Sequence, residues 1–249
     1  MTIDGLAVCV NYSDLLALSL NRWLDALDSL TIVTTPGDAD TRELIAAANW
    51  RQPAAKVRAH LTEIFTAHGA DFNKGAAMQE AISQTMLWRE WVLFFDADIV
   101  PPRGLRHRLC QAGLEPGNLY GGVRHIAESV ADYGKDPTDL PTVQGRGQRI
   151  PGAFQLFHID DPRIPNRDHL LDVTWRHAGN YDSAFQACWP RNRQIVLGDI
   201  HYIHIGEPGL NWHGRCSPEE GRRRKAARDA ARRKHGGSCT HERIEPPTT

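Results

Sequence analysis

Apolar and polar positions near the start of the chain switch between a strand-like and a helix-like period. Leu6-Ala-Val-Cys-Val10 is a short apolar run that stops at Asn11-Tyr-Ser-Asp14. That pattern predicts a buried strand running into a loop, with Ser13 or Asp14 as a helix cap. Leu15, Leu16, Leu18, Leu20, Trp23, Leu24 and Leu27 then recur at helical spacing. A second strand, Leu30–Thr34, ends in Thr35-Pro-Gly-Asp38, which is turn chemistry. A strand–helix–strand opening predicts a doubly wound α/β sheet.

Further along, Val57, Leu61, Ile64 and Phe65 share one helical face, which predicts a helix over 54–68. After Gly69 and Phe72-Asn-Lys-Gly75 comes a second helical pattern through Met78, Ile82 and Met86. Trp91-Val-Leu-Phe-Phe95 is the clearest buried strand, and it stops abruptly at Asp96-Ala-Asp98. Later strands are predicted at 119–123, 153–158, 194–197 and 201–205, with a short helix at 181–189. Residues 127–151 are rich in Asp, Gly and Pro, carry no period, and read as a mobile loop.

With 249 residues the chain is long enough to bury a substantial core. A formal net charge of −1 gives no global pull toward polyanions. That average conceals an asymmetry, because residues 222–234 hold eight Lys/Arg against the single acid Asp229. From Ser217 onward apolar residues other than Ala nearly vanish, so the division expected is a domain over 1–216 and a basic tail, helical or disordered, over 217–249. The cysteines at 9, 110, 188, 216 and 239 are scattered and include no CxxC, which fits reduced thiols in a cytoplasmic compartment. The N-terminus lacks a signal-peptide pattern, and no apolar run approaches the roughly 18–20 residues needed to span a bilayer.

The chemistry concentrates at Asp96 and Asp98. Ligands of open α/β sheets gather outside the carboxyl ends of the strands, which is where this pair falls. Two carboxylates there are costly to desolvate unless a cation compensates them. Hard oxygens suit Mg²⁺ or Mn²⁺, which bind one or two carboxylates together with substrate phosphates. An acidic turn closing a strand is the plainer reading of a lone D-x-D, so the remaining motifs decide.

Those motifs occur in order: Val10-Asn-Tyr12, Val33-Thr-Thr-Pro-Gly-Asp38, Phe72-Asn-Lys-Gly75, Phe95-Asp-Ala-Asp98, Gly152-Ala-Phe-Gln-Leu-Phe-His158 and Gly209-Leu-Asn-Trp-His-Gly-Arg215. Over roughly 6–215 the set resembles a GT-A nucleotide-sugar glycosyltransferase, closest to small bacterial and phage members of the family-2-like group. The resemblance implies a Rossmann-like mixed sheet flanked by helices. It also implies transfer of a sugar from a nucleotide-diphosphate donor, with uridine the commonest base among relatives, to a hydroxyl acceptor.

By resemblance, Asn11 and Tyr12 meet the nucleotide base and ribose, with Tyr12 a stacking face, and Thr35 and Asp38 also contact base or ribose. Asn73 and Lys74 approach the nucleotide; Lys74 offsets diphosphate charge, and Asn73 is also a good helix cap. Asp96 and Asp98 hold the dication, with His204 as the third metal ligand and His201 and His158 as alternatives. Trp212 covers the donor and Arg215 holds the diphosphate through its planar fork. Asp182 is the match for the base that activates the acceptor, with Asp172 as alternative. Tyr181 stands where inverting members carry a second acid, so the resemblance leaves the stereochemical outcome open.

Arg222-Arg-Arg-Lys225, Arg228 and Arg232-Arg-Lys234 sit among alanines, a helix-favouring composition suited to tracking phosphates. This makes a modified base in phage DNA one candidate acceptor. Two other readings compete: an inactive GT-A-like nucleic-acid-binding protein, and a nucleotidyltransferase. The latter normally carries a Gly-rich phosphate loop after its first strand, and Asn11-Tyr-Ser-Asp14 is not one. A zinc site from Cys216, His235, Cys239 and His241 matches no standard spacing.

Overall fold

In the computed structural model the described residues are 1–51, 56–142, 150–164 and 166–205. In the C-terminal stretch they are 215, 219, 222–224, 226–227, 229–230 and 243–244. Five strands and three helices make the first half: β1 (Ile3–Val8), α1 (Ser13–Ala26), β2 (Ser29–Thr34), α2 (Ala39–Arg51), β3 (Val57–Leu61), α3 (Lys74–Gln84), β4 (Trp91–Asp96) and β5 (Ile99–Val100). The second half adds α4 (Leu105–Gln111), β6 (Leu119–Ala127), β7 (Phe154–His158), α5 (Tyr181–Gln186) and β8 (Gln194–Ile205). All eight strands form one mixed sheet in the order β3-β2-β1-β4-β7-β6-β8-β5. β1 to β4 are mutually parallel, β7 runs antiparallel to β4 and β6, and β8 runs parallel to β6.

β4 is apolar on both faces because both are covered. Phe95 stacks on Trp23 of α1 with ring centroids 3.9 Å apart. Phe94, on the opposite face, meets Phe157 at 5.0 Å and Phe185 at 5.4 Å. Each such fully buried aromatic contributes about 1.5–3 kcal/mol over exposure. The strand that ends in the acid pair is therefore clamped from both sides of the sheet. Along α1 the buried positions Leu16, Leu20, Trp23 and Leu24 follow the helical repeat. Tyr12, rather than Ser13 or Asp14, is the cap residue, so the helix begins one residue earlier than its polar residues imply.

One element departs from its periodicity. The predicted helix over 54–68 is strand β3 across Val57–Leu61, followed by a 3₁₀ turn over Ile64–Gly69, while residues 52–55 lie outside the described set. Parallel pairing of β3 with β2, from Leu30↔Val57 to Thr34↔Leu61, satisfies its backbone. Only Val57 and His60 of this edge strand are buried, so its side chains carry little two-residue alternation. Spacing of four apolar residues does not by itself separate the two outcomes. The two late strands predicted at 194–197 and 201–205 are one strand, β8, whose register against β6 shifts between Gly122 and Val123. Pro137–Asp139 and Val130–Gly134 form short 3₁₀ turns in the aperiodic stretch, and 143–149 lie outside the described residues.

No helix among the described residues is long and apolar enough to cross a membrane. Within the basic tail, residues 222–224, 226–227 and 229–230 have helical backbone.

Candidate metal and nucleotide site

The register of the sheet brings the site together. Val8 of β1 pairs with Asp96 of β4, so the loop after β1 and the acid pair lie at the same edge. Asp98 follows two residues on, and its carbonyl accepts from Ile205 N at 2.9 Å. That bond, with the antiparallel pairing Ile99↔His204, lays the end of β8 against the acid pair. One donor atom each from Asp96, Asp98 and His204 lies within 4.8 Å of the others. His204 Nε2 is 3.8 Å from Asp98 Oδ2. His201 instead points elsewhere, its Nδ1 2.9 Å from His125 Nε2. His158 pairs with Trp91, at the opposite end of β4 from Asp96.

The three groups sit on the wall of a cavity of about 140 Å³, which Tyr12, Phe72, Lys74, Gly152, Tyr181 and Asp182 also line. Lys74 Nζ donates to Asp96 Oδ1 and lies 5.4 Å from the Tyr181 ring centroid. Burial alone raises the pKa of Asp96, but the Lys74 ammonium, with His204 and Arg124 adding to it, holds the carboxyl below its ordinary range. Asp98 moves the other way: burial raises it, and the Asp96 charge adds to that against the pull of His204 and Lys74. Asp98 Oδ1 is buried and has no hydrogen-bond partner among the described residues. A buried carboxylate oxygen without a donor is costly. Such an oxygen, next to a second carboxylate and an imidazole, fits a divalent cation of the Mg²⁺ or Mn²⁺ kind.

Asp182, at the start of α5, faces the same cavity. Burial, and then the Asp96 charge, push its carboxyl above the usual carboxylate range, against a hydrogen bond from Ser183 N at 2.8 Å. Its position depends on Gly152: a Cβ there would stand 1.6 Å from Asp182 Oδ2 and 2.8 Å from Asp182 Cβ. Asp172 does not line the cavity; its Oδ1 accepts from Thr174 N at 3.0 Å and Thr174 Oγ1 at 2.6 Å.

The nucleotide-side residues divide. Tyr12 lines the cavity, and the Arg215 guanidinium lies 5.0 Å from its ring centroid. Arg215 also donates to the Asn11 carbonyl at 2.6 Å and pairs with Asp14. Asn11 has φ +59°, which turns the chain sharply between β1 and α1. Asp38 is buried: it accepts from Asn11 N at 2.7 Å, Thr34 Oγ1 at 3.0 Å and Thr41 N at 3.1 Å, buckling the Asn11 loop onto the start of α2. Neither Asp38 nor Thr35 is on the cavity wall. Asn73 caps α3 by accepting from Ala76 N at 2.9 Å and donates to the Val173 carbonyl at 2.7 Å. Trp212 lies outside the described residues.

Sequence reasoning missed Tyr181 as the aromatic platform for Lys74 and Gly152 as the space that Asp182 requires. In the sequence Tyr181 stands out only as a departure from a motif, and Gly152 only as the start of one. Phe72, whose ring stacks on Phe65 at 4.9 Å, completes the apolar side.

No family model matches this sequence, and no curated protein is similar to it in sequence. Solved structures do share its fold. GalNAc-T7 with UDP, GalNAc and Mn²⁺ superposes at a TM-score of 0.57 and 12% identity, over 87% of this chain and 45% of that one. The mannosyltransferase PcManGT from Pyrobaculum calidifontis, with GDP-Man and Mn²⁺, gives 0.48 and 15% over 82% and 56%. The inositol-1-phosphate CTP transferase from T. maritima gives 0.48 and 9% over 84% and 90%. The chain spans about half the length of the two glycosyltransferases. Its eight-stranded mixed sheet, with the acid pair at the end of β4, is a GT-A-like fold.

Proposed function

We propose that this chain is a metal-dependent glycosyltransferase that moves a sugar from a nucleoside-diphosphate donor to a hydroxyl acceptor. The observation that carries the reading is the convergence of Asp96, Asp98 and His204 on the wall of one cavity that Lys74 and Asp182 also line. Asp96, Asp98 and His204 would hold Mn²⁺ or Mg²⁺. When bound, the cation supplies charge stabilisation for the departing diphosphate. Lys74 adds a fixed positive charge beside the phosphates, and Arg215 closes over Tyr12, which offers its ring to the base. Asp182 takes the proton of the acceptor hydroxyl as the new bond to the anomeric carbon forms and the bond to the diphosphate breaks. Its raised pKa suits a base working nearer neutral pH than an ordinary carboxylate.

A uridine donor and a hydroxyl carried on DNA are the finer parts of this proposal. The DNA acceptor is supported by the eight basic side chains between Arg222 and Lys234, concentrated in one segment of a chain whose overall formal net charge is −1. A thermal-shift panel of nucleoside diphosphates and their sugars, with and without Mn²⁺, tests the reading. Stabilisation that needs both dication and diphosphate, and that Asp98→Ala removes, is expected. Release of pyrophosphate in place of a nucleoside diphosphate would assign nucleotidyl transfer instead.

A further inference from the structure

Arg243 and Ile244, late in the sequence, lie against the segment 172–175 near the candidate site. Arg243 forms a β-bridge with Trp175, and Ile244 N donates to the Thr174 carbonyl at 2.7 Å. The Arg243 side chain makes three further contacts to the same short segment. It donates to Thr174 Oγ1 at 2.6 Å, lies 3.2 Å from Asp172 Oδ2, and places its guanidinium 4.3 Å from the Trp175 ring centroid. Main-chain pairing, a charged pair and a cation–π contact thus converge on residues 172–175 from two consecutive tail residues.

That segment in turn holds the start of α3. The Arg176 carbonyl accepts from Asp71 N at 2.8 Å and Phe72 N at 2.9 Å. The Val173 carbonyl accepts from Asn73 Nδ2 at 2.7 Å. The Asp172 carbonyl packs so closely on Gly75 that a Cβ there would approach it to 2.6 Å. Phe72 and Lys74, between these anchors, line the cavity.

We infer that Arg243 and Ile244 are a C-terminal clip: through one β-bridge and one main-chain hydrogen bond they hold the 172–176 segment and, through it, position the Phe72–Lys74 wall of the cavity. Arg243 is a positioning residue with no contact to the cavity itself. The clip explains why Asp172, a carboxylate near the site by sequence, is engaged with Thr174 and Arg243. Its geometry stands apart from the donor-site reading; only its effect on ligand affinity rests on that reading.

Amide hydrogen exchange on the full chain, on Arg243→Ala, on Arg243→Lys and on a chain ending at Glu242 tests it. Exchange at Asp71 and Phe72 should quicken about tenfold in Arg243→Ala and in the shortened chain, the loss expected for one charge-assisted contact. Protection across β1 and β4 should be unchanged. Arg243→Lys should recover part of it, since an ammonium still pairs with Asp172 but lacks the planar fork. UDP affinity in Mn²⁺ should fall in Arg243→Ala with no change in melting temperature. Unchanged exchange at Asp71 and Phe72 overturns the clip, as does a uniform rise that includes β1 and β4. A parent chain that binds no UDP counts against the donor site while leaving the exchange result to decide the clip.

Discussion

Replacing Gly152 with alanine tests the placement of Asp182 without touching the carboxylate itself. The added methyl would stand 1.6 Å from Oδ2, 2.5 Å from Cγ and 2.8 Å from Cβ of Asp182, where ordinary contact begins at 3.4 Å. The carboxylate must therefore move by about 2 Å, and the closeness of Cβ means that rotation about χ1 does not suffice; the start of α5 must shift as well. Overpacking of this kind costs about 1–3 kcal/mol of stability. The effect on catalysis is larger, because a 1 Å misplacement of a reacting group costs about a hundredfold. Gly152→Ala should thus fold, bind Mn²⁺ near the parental affinity, and transfer sugar at least about a hundredfold more slowly. Steady-state release of nucleoside diphosphate in the presence of acceptor, beside a Mn²⁺ titration, measures both. Combined with Asp182→Asn, the substitution should cost little more than Asp182→Asn alone, since both act through one carboxylate. Parental turnover in Gly152→Ala would refute the role given to Asp182.

Asp182 also gives a pH prediction. Its folded pKa is raised, chiefly by burial, so the folded state holds this proton more tightly than the unfolded chain does. The destabilisation appears as pH rises from the unfolded value, near 3.9, through the raised folded value, and is complete above it. Asp182→Asn should therefore melt no lower than the parent at pH 7, with the difference closing in acid, while transfer is lost. The parental pH–rate profile should rise with a midpoint above the ordinary carboxylate value, and a midpoint at or below about 4 would count against Asp182 as base. Arg215→Ala removes a partly exposed ion pair to Asp14, so stability should change by less than about 1 kcal/mol. Affinity for the nucleoside diphosphate should nonetheless fall about tenfold by titration calorimetry; unchanged affinity would remove Arg215 from the site. If the residues from Arg222 to Lys234 carry nucleic acid, duplex binding should weaken steeply with salt, and replacing those cations with glutamine should flatten the slope. An identical slope would detach the tail from the acceptor.

Much of the fold was legible because its central strands are buried on both faces. Leu6–Val10 and Trp91–Phe95 are uninterrupted apolar runs, and such runs ending in polar loops leave little choice of assignment. β3 was not legible: it is an edge strand with two of five side chains buried, and parallel pairing to β2 fixes it, a long-range term that local spacing does not carry. β5, two residues long, and the bulge in β8 have the same character. Within the site, Asp96, Asp98 and Lys74 follow from strand ends and helix starts. His204 was preferred to His201 by resemblance alone, and the register Ile99↔His204 supplies the physical reason. Asp38 shows how composition misdirects, since its turn-like setting gave no hint that three donors enclose it. The partnership of Gly152 with Asp182 joins two segments distant in sequence and leaves no local trace.

The central claim is that Asp96, Asp98 and His204 form one dication site facing a diphosphate. Mn²⁺ binding followed by electron paramagnetic resonance, with and without UDP, measures it directly in the parent, Asp98→Ala and His204→Ala. The parent should bind one Mn²⁺ whose affinity rises when UDP is added, and each variant should weaken it by about tenfold or more. Equal Mn²⁺ binding in all three proteins, or binding indifferent to UDP, would contradict the account.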